Sequence, residues 1–168
     1  MNNENPLASV FINNIMRYLL EENFPRIIQC LNMLTEEQIW YRPNDQSNSV
    51  GNLVLHLNGN LNQWILNSIG RKDFQRIRQA EFNAEKTKSK NELIQIMNDT
   101  KSELSYCIQK VTTDELLRLR PVQIYEETGI AILIHTTEHF SYHTGQIAYI
   151  TKWLTNQQTF FYKDLEDK

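Results

Sequence analysis

Residues 129–154, GIAILIHTTEHFSYHTGQIAYITKWL, hold no proline and run for about seven turns at 3.6 residues per turn. Thr128 supplies a hydroxyl to cap the first amides, and the opening Ile130, Ala131, Ile132, Leu133 and Ile134 are apolar on every side. Cap and pattern predict a helix from Gly129 to about Leu154 that is buried over its first turns. Such a helix needs partners, and the chain upstream offers three. Leu7 to Leu34 places Val10, Phe11, Ile15, Tyr18, Leu19, Ile27, Leu31 and Leu34 at helical intervals, with Pro25 expected to kink or divide the run. Thr35 to Gln38 has capping-box spacing and opens a short helix over Glu36 to Trp40, stopped before Pro43. A long helix is predicted from Val50 to Ile69, with Gly70 as its C-terminal stop. Ser89 to Glu92 is another capping box, opening a helix to about Lys110 with Leu93, Ile96, Met97, Leu104 and Ile108 on one face.

Between these helices the signals are weaker. Arg71 to Lys88 has no clear period and is expected to be a long surface connection. Thr112 could cap a brief helical turn, and Arg118 to Glu127, which contains Pro121, is expected to be a loop or a short hairpin. No repeat and no second core is evident. The expectation is therefore an all-α class, a four-helix bundle with long connections, formed by residues 1–168 as a single domain.

Composition agrees with this by exclusion. Leu, Ile, Val and Phe account for 47 of the 168 residues, above the level at which a chain stays disordered. Five glycines and four prolines are too few for the dense turns of a sandwich or barrel. With 17 basic and 20 acidic residues and a net charge of −3, nucleic acid is not an expected partner. No run approaches the roughly 18 to 20 apolar residues of a membrane span, and MNNENPLASVF lacks the order of a signal peptide. No membrane partner is expected, and the chain is read as soluble and cytoplasmic. Cys30 and Cys107 show no metal or disulfide spacing and are expected to be small buried hydrophobes.

Of four histidines, three fall within nine residues: His135, His139 and His143, spaced i, i+4, i+8 on one helix face. Two imidazoles one turn apart reach a single ion, whereas i and i+8 lie about 12 Å apart along the axis. One adjacent pair can therefore bind, with a third ligand from elsewhere. The other histidine, His56, lies in the apolar run Leu53-Val54-Leu55-His56-Leu57, where an unpaired imidazole would be poorly solvated. The pair His135/His139 would bring in Glu138 and match the HxxEH pattern of inverted zinc peptidases. Those are much larger chains with an acidic ligand well downstream, and here 29 residues follow His139.

The pair His139/His143 belongs to a longer run. His139-Phe140-Ser141-Tyr142-His143-Thr144-Gly145-Gln146-Ile147 resembles the HxxxHxGQI signature of the DinB-like (YfiT-related) superfamily of metalloenzymes. Ser49-Val50-Gly51-Asn52-Leu53-Val54-Leu55-His56-Leu57 is similar to that family's S-[IV]-G-x-L-x-x-H-L run, and Trp40-Tyr41-Arg42-Pro43 precedes it in the family manner. The resemblance implies a four-helix bundle in which His56, His139 and His143 bind one divalent ion, with zinc first in expectation and nickel or iron as alternatives, in a homodimer. His135 is not one of the implied ligands and is read as a core residue or a support to the site. Gly145 is expected to permit close helix packing, and Gln146 to hydrogen-bond a ligand or the facing helix.

Three neutral imidazoles leave a coordination position open, as in a catalytic centre. The resemblance implies transfer of a low-molecular-weight thiol, such as bacillithiol or mycothiol, to an electrophile, with no protein cysteine required. A helical stress-response or dimerisation module with a structural metal and a metal-dependent hydrolase are the alternatives. Asn60 and Gln63, beyond His56 on the same helix, either contact substrate or lie as surface amides. Tyr142 is expected to point away from the ion. Arg71, Lys72, Arg76 and Arg78, against Asp73 alone, make a cationic loop read as solvated.

Overall fold

Asn5 opens the first helix by accepting from the Leu7 N–H at 3.0 Å, and Pro6 follows where no amide donor is needed. A computed structural model describes residues 5–162. Helix α1 (Pro6–Met16) passes into a π-helical stretch (Arg17–Asn23) and then α2 (Phe24–Met33), forming one rod. The division expected at Pro25 thus takes the form of a widened turn immediately before it. Widening frees room for a ring that would otherwise strike a carbonyl one turn back, and Asn23 Nδ2 donates to the Tyr18 carbonyl at 2.8 Å within it.

Reciprocal side-chain and backbone bonds cap α3 (Glu36–Ile39) at Thr35, α4 (Val50–Leu61) at Ser49 and α6 (Lys90–Ile108) at Ser89. A second π-helical stretch (Asn62–Asn67) prolongs α4. The left-handed residue that ends this rod is Arg71, φ 59°, and not Gly70. Gly70 is needed for its size, because a Cβ there would meet the Leu66 carbonyl oxygen at 2.6 Å.

The stretch from Arg71 to Lys88 corrects the sequence expectation of a solvated surface connection. It contains α5 (Arg78–Asn83), and that helix packs on α4. The clamp is Asn52, fully buried, whose Nδ2 donates to the carbonyls of Glu81 and Ala84, both at 2.9 Å. Arg42 reinforces it, donating to Asn52 Oδ1 at 2.9 Å and to the Phe82 carbonyl. A short α7 (Thr113–Leu117) is capped by Thr112. Strands β1 (Leu119–Val122) and β2 (Tyr125–Thr128) then pair antiparallel with Val122 opposite Tyr125. The hairpin alternative is the correct one for this region, and Gln123 takes the positive φ of 54° that its tight turn requires. Thr128 caps α8 (Gly129–Thr155), its Oγ1 accepting from the Ala131 N–H at 3.2 Å.

The first rod packs against α6 and α8 from one side, and α4 packs against the same two from the other. This is the expected all-α four-helix bundle, with a short hairpin before the last helix. Fully buried Leu19, Ile27, Leu57, Leu61, Met97 and Ile147 fill the space between the rods, and Phe24 stacks on Phe140 at 4.7 Å. Cys30 lies in this core as expected, and burial pushes its thiol up, whereas Cys107 is only half-buried. Gly145 departs from expectation: a Cβ there would have nothing within 4 Å, so no helix packs closely against it. Among the described residues, no helix is long and apolar enough to cross a membrane.

Candidate metal centre

Helix α4 is buried on nearly every side, so His56 cannot turn to solvent and is 5% exposed. On α8, His139 and His143 stand one turn apart and half-buried, facing α4. The bundle brings the three rings together across 83 residues of chain: His139 Nε2 lies 3.2 Å from His56 Nε2 and 3.2 Å from His143 Nε2. Ligand atoms of the three all fall within 4.8 Å of one another. Nitrogens bound to one zinc at about 2.0 to 2.1 Å with a tetrahedral angle lie about 3.3 Å apart. The two 3.2 Å spacings about His139 match that distance.

The outer nitrogens show why the inner ones converge. His56 Nδ1 lies 3.0 Å from Glu81 Oε2, and His143 Nδ1 lies 2.6 Å from Gln146 Oε1. Glu81 Oε2 and Gln146 Oε1 are acceptors and favour a proton on Nδ1 with an Nε2 lone pair turned inward, while at His56 the donor Arg76 Nη2 also lies 3.0 Å from Nδ1. Two lone pairs thus face His139 Nε2, which has at most one proton to offer. A cation among the three satisfies all of them at once. His139 Nδ1 is buried with no hydrogen-bond partner, so that ring is held by packing alone.

Electrostatics favour the neutral form of His139 and His143. Burial, then the neighbouring His143, His56, His135 and Arg76, push the His139 pKa down to about 3. Burial also lowers His143, against the raising effect of its bond to Gln146. Burial pushes Glu81 up, but hydrogen bonds from Arg76 and His56 outweigh it and hold the carboxyl below its ordinary value. Neutral imidazoles and an ionised carboxylate behind one of them are what a divalent ion needs in its ligands.

His135 stays outside the cluster, its ring against Trp64 at 4.2 Å and 5.8 Å from His139. Glu138 is exposed and lines a groove with Tyr18 and Arg26, away from the three rings, so the HxxEH arrangement does not form. Gln146 bonds His143 and not the facing helix, and its Nε2 donates to the Tyr142 hydroxyl at 3.2 Å. The Tyr142 ring is 59% exposed, in keeping with its expected outward direction. Asn60 is buried, and Gln63 accepts from Arg76 Nη1 at 3.2 Å and from Gln123 Nε2 at 2.8 Å.

Arg76 and Glu81 are the residues that sequence reasoning missed. The cationic loop is not solvated as expected: Lys72 pairs with Glu103 at 2.5 Å, Arg78 lies 4.8 Å over the Phe82 ring, and the Arg76 side chain is 3% exposed beside the site. The one available signal was chemical: a histidine ligand calls for a carboxylate or carbonyl on its second nitrogen. Gly59 makes the room, since a Cβ there would fall 2.0 Å from Glu81 Oε1.

Three proteins of known structure, two of them described as DinB-like, share the fold. A DinB-like protein from Bacillus cereus is 15% identical at a TM-score of 0.65, covering 80% of this chain and 87% of its own. A second, from Bacillus subtilis, is 15% identical at 0.65, covering 89% and 94%. A conserved protein from Enterococcus faecalis is 13% identical at 0.64, covering 90% and 96%. No match is found among curated proteins. Residues 9–162 match the family described as "Protein of unknown function (DUF1572)". With that match over nearly its whole length, the chain belongs to the DUF1572 family, and its fold is that of the DinB-like bundles.

Proposed function

We propose that the protein is a metal-dependent enzyme that holds one divalent ion, zinc first, on His56, His139 and His143, and transfers a low-molecular-weight thiol to an electrophile. The observation that carries the metal is the convergence of three imidazole Nε2 atoms, two of them on rings whose Nδ1 meets an acceptor. All-nitrogen ligation suits zinc, nickel or iron. When bound, such an ion supplies an open position and lowers the pKa of a thiol or water held there.

The chain's own residues serve that chemistry in definable ways. Glu81 and Gln146 accept the Nδ1 protons of His56 and His143 and so fix which nitrogen faces the site. His139 stays neutral far below physiological pH, so this ring is not lost to protonation in the cell's range. His139 and His143 remain half-buried, which leaves the site an approach from outside. A groove of about 590 Å³ bordered by Leu53, Tyr142, Gln146 and Tyr149 is of substrate size, and Gln146, which bonds His143, connects it to the cluster. Neither cysteine lies in the cluster, so a thiol nucleophile would be a small molecule.

Elemental analysis of the purified protein tests the metal. About one ion per chain is expected for a three-ligand site, lost in His56→Ala, His139→Ala and His143→Ala and kept in His135→Ala. Loss in His135→Ala with retention in His143→Ala would overturn the ligand set and restore the HxxEH pairing. Thiol consumption with model electrophiles tests the reaction. Turnover with water and an ester or amide, but with no thiol, would make the protein a hydrolase, and no turnover of any kind would leave a structural metal. The homodimer belongs to the same reading, and a monomer at all concentrations in sedimentation velocity would remove it.

A further inference from the structure

Arg76 is an unusual residue to find where it is. It comes from the irregular stretch between Arg71 and α5, yet its side chain is 3% exposed and its donors are almost all engaged inside the protein. Nε donates to Glu81 Oε1 at 2.6 Å and Nη2 to Glu81 Oε2 at 2.7 Å. Nη2 also lies 3.3 Å from the His56 carbonyl oxygen and 3.0 Å from His56 Nδ1, and Nη1 donates to Gln63 Oε1 at 3.2 Å. A guanidinium buried this far needs a function or a partner to retain it, because desolvation costs several kcal/mol and an ion pair alone often does no better than apolar packing.

The geometry supplies the function. Glu81 has two oxygens, and only Oε2 reaches His56 Nδ1. Free to rotate, a carboxylate 25 residues away in sequence would offer either oxygen or swing aside. The planar fork of Arg76 takes one N–H to each oxygen, which fixes the carboxylate plane and aims Oε2 at the ring. We propose that Arg76 is a positioning residue for the metal ligand His56, acting through Glu81: the buried pair holds His56 as the Nδ1–H form with its Nε2 lone pair on the site. Gly59 admits the pair against α4, and Gln63 fastens the far end of the guanidinium to α4 and, through Gln123, to the hairpin tip. Lysine, with a single ammonium, cannot make the two-pronged contact. Glutamine at 81 cannot accept at both oxygens.

This inference rests on the three-histidine metal reading, and its test separates the two. Zinc affinity is measured by competition with a chromophoric chelator on the full chain, for wild type, Glu81→Gln, Arg76→Met, Arg76→Lys and the double variant Arg76→Met/Glu81→Gln. Loss of a bond behind a ligand weakens metal binding by about 10- to 100-fold, and that is expected for each of the first two single variants. Arg76→Lys recovers only part of it. The double variant is expected to bind no more weakly than Glu81→Gln alone, because the two act through one contact. Wild-type affinity in Arg76→Met, or a double variant whose losses multiply, would overturn the role. Ring ¹⁵N spectra of His56, taken without added metal, give an independent readout: the Nδ1–H form in wild type and a shifted tautomer population in Glu81→Gln and Arg76→Met. Identical spectra in folded variants would overturn it as well. If wild type binds no zinc, the metal reading fails while the spectra still decide whether the pair sets the tautomer.

Discussion

Helix α8 and the stretch from Arg71 to Lys88 both contribute to the histidine cluster, the first by carrying His139 and His143 and the second by contacting His56, and they do so by opposite means. In α8 the site residues are one turn apart on an element whose cap, length and apolar face are local properties. In the other stretch, Arg76 and Glu81 approach the site only because Asn52 and Arg42, far away in sequence, hold the backbone carbonyls of Glu81, Phe82 and Ala84. The contrast shows that ligands can be written into helical periodicity, while the groups that orient them are set by tertiary hydrogen bonds that leave no pattern in the chain.

Removing the clamp is the strongest way to break this comparison. Asn52→Ala deletes both 2.9 Å bonds and leaves buried carbonyls and Arg42 without their partner. Each unsatisfied group costs about 1 to 3 kcal/mol, so a loss of about 3 kcal/mol in urea unfolding is expected. Metal retention should fall with it although no ligand is touched, and unchanged retention would mean that the stretch positions itself. In Gly59→Ala the added methyl collides with Glu81, with an expected cost of about 1 to 3 kcal/mol. Gly145→Ala, on α8 with open space around it, should instead gain up to about 1 kcal/mol from helix propensity. Thermal unfolding of the two variants side by side sharpens the contrast, and equal shifts would dissolve it.

A further contrast is a pH dependence on the α8 side. His139 has a pKa of about 3 in the folded chain against 6.5 for an ordinary histidine. Between these values the unfolded chain binds the proton and the folded chain does not, so acid favours unfolding. Its contribution is fully present above about pH 6.5 and is lost as pH falls towards 3. Melting of the chelator-treated protein across that window should therefore steepen in wild type and flatten in His139→Asn, and a parallel decline in both would remove His139 as the cause.

The sequence carried most of the bundle. Capping boxes at Thr35 and Ser89 and the cap at Thr128 marked three helix starts, and they form as expected because each needs only residues within one turn. The helix face offers His135, His139 and His143 without choosing between the adjacent pairs, and it is the resemblance of the runs around His56 and His139 to the DinB-like signatures that implies His56, His139 and His143. Arg76 and Glu81 were not readable, because nothing in Phe74-Gln75-Arg76-Ile77 separates a buried arginine from the exposed one at Arg71. Gly145 was misread as a packing residue because a missing side chain looks the same from the sequence whether a neighbour fills the gap or solvent does. The two π-helical stretches also left no mark, as one wider turn is chosen by what the rod packs against.

Those two stretches set how the chain tolerates changes in length. An α-helix advances about 100° per residue, so one residue added or removed in the middle of α6 or α8 turns everything beyond it to another face. In Arg17–Asn23 and Asn62–Asn67 the rod already spends more chain per turn than an α-helix of the same rise would. A single deletion there can be absorbed by tightening the turn, with the flanking helices left facing the same neighbours. Natural variation in the length of these rods should therefore be concentrated at those two places.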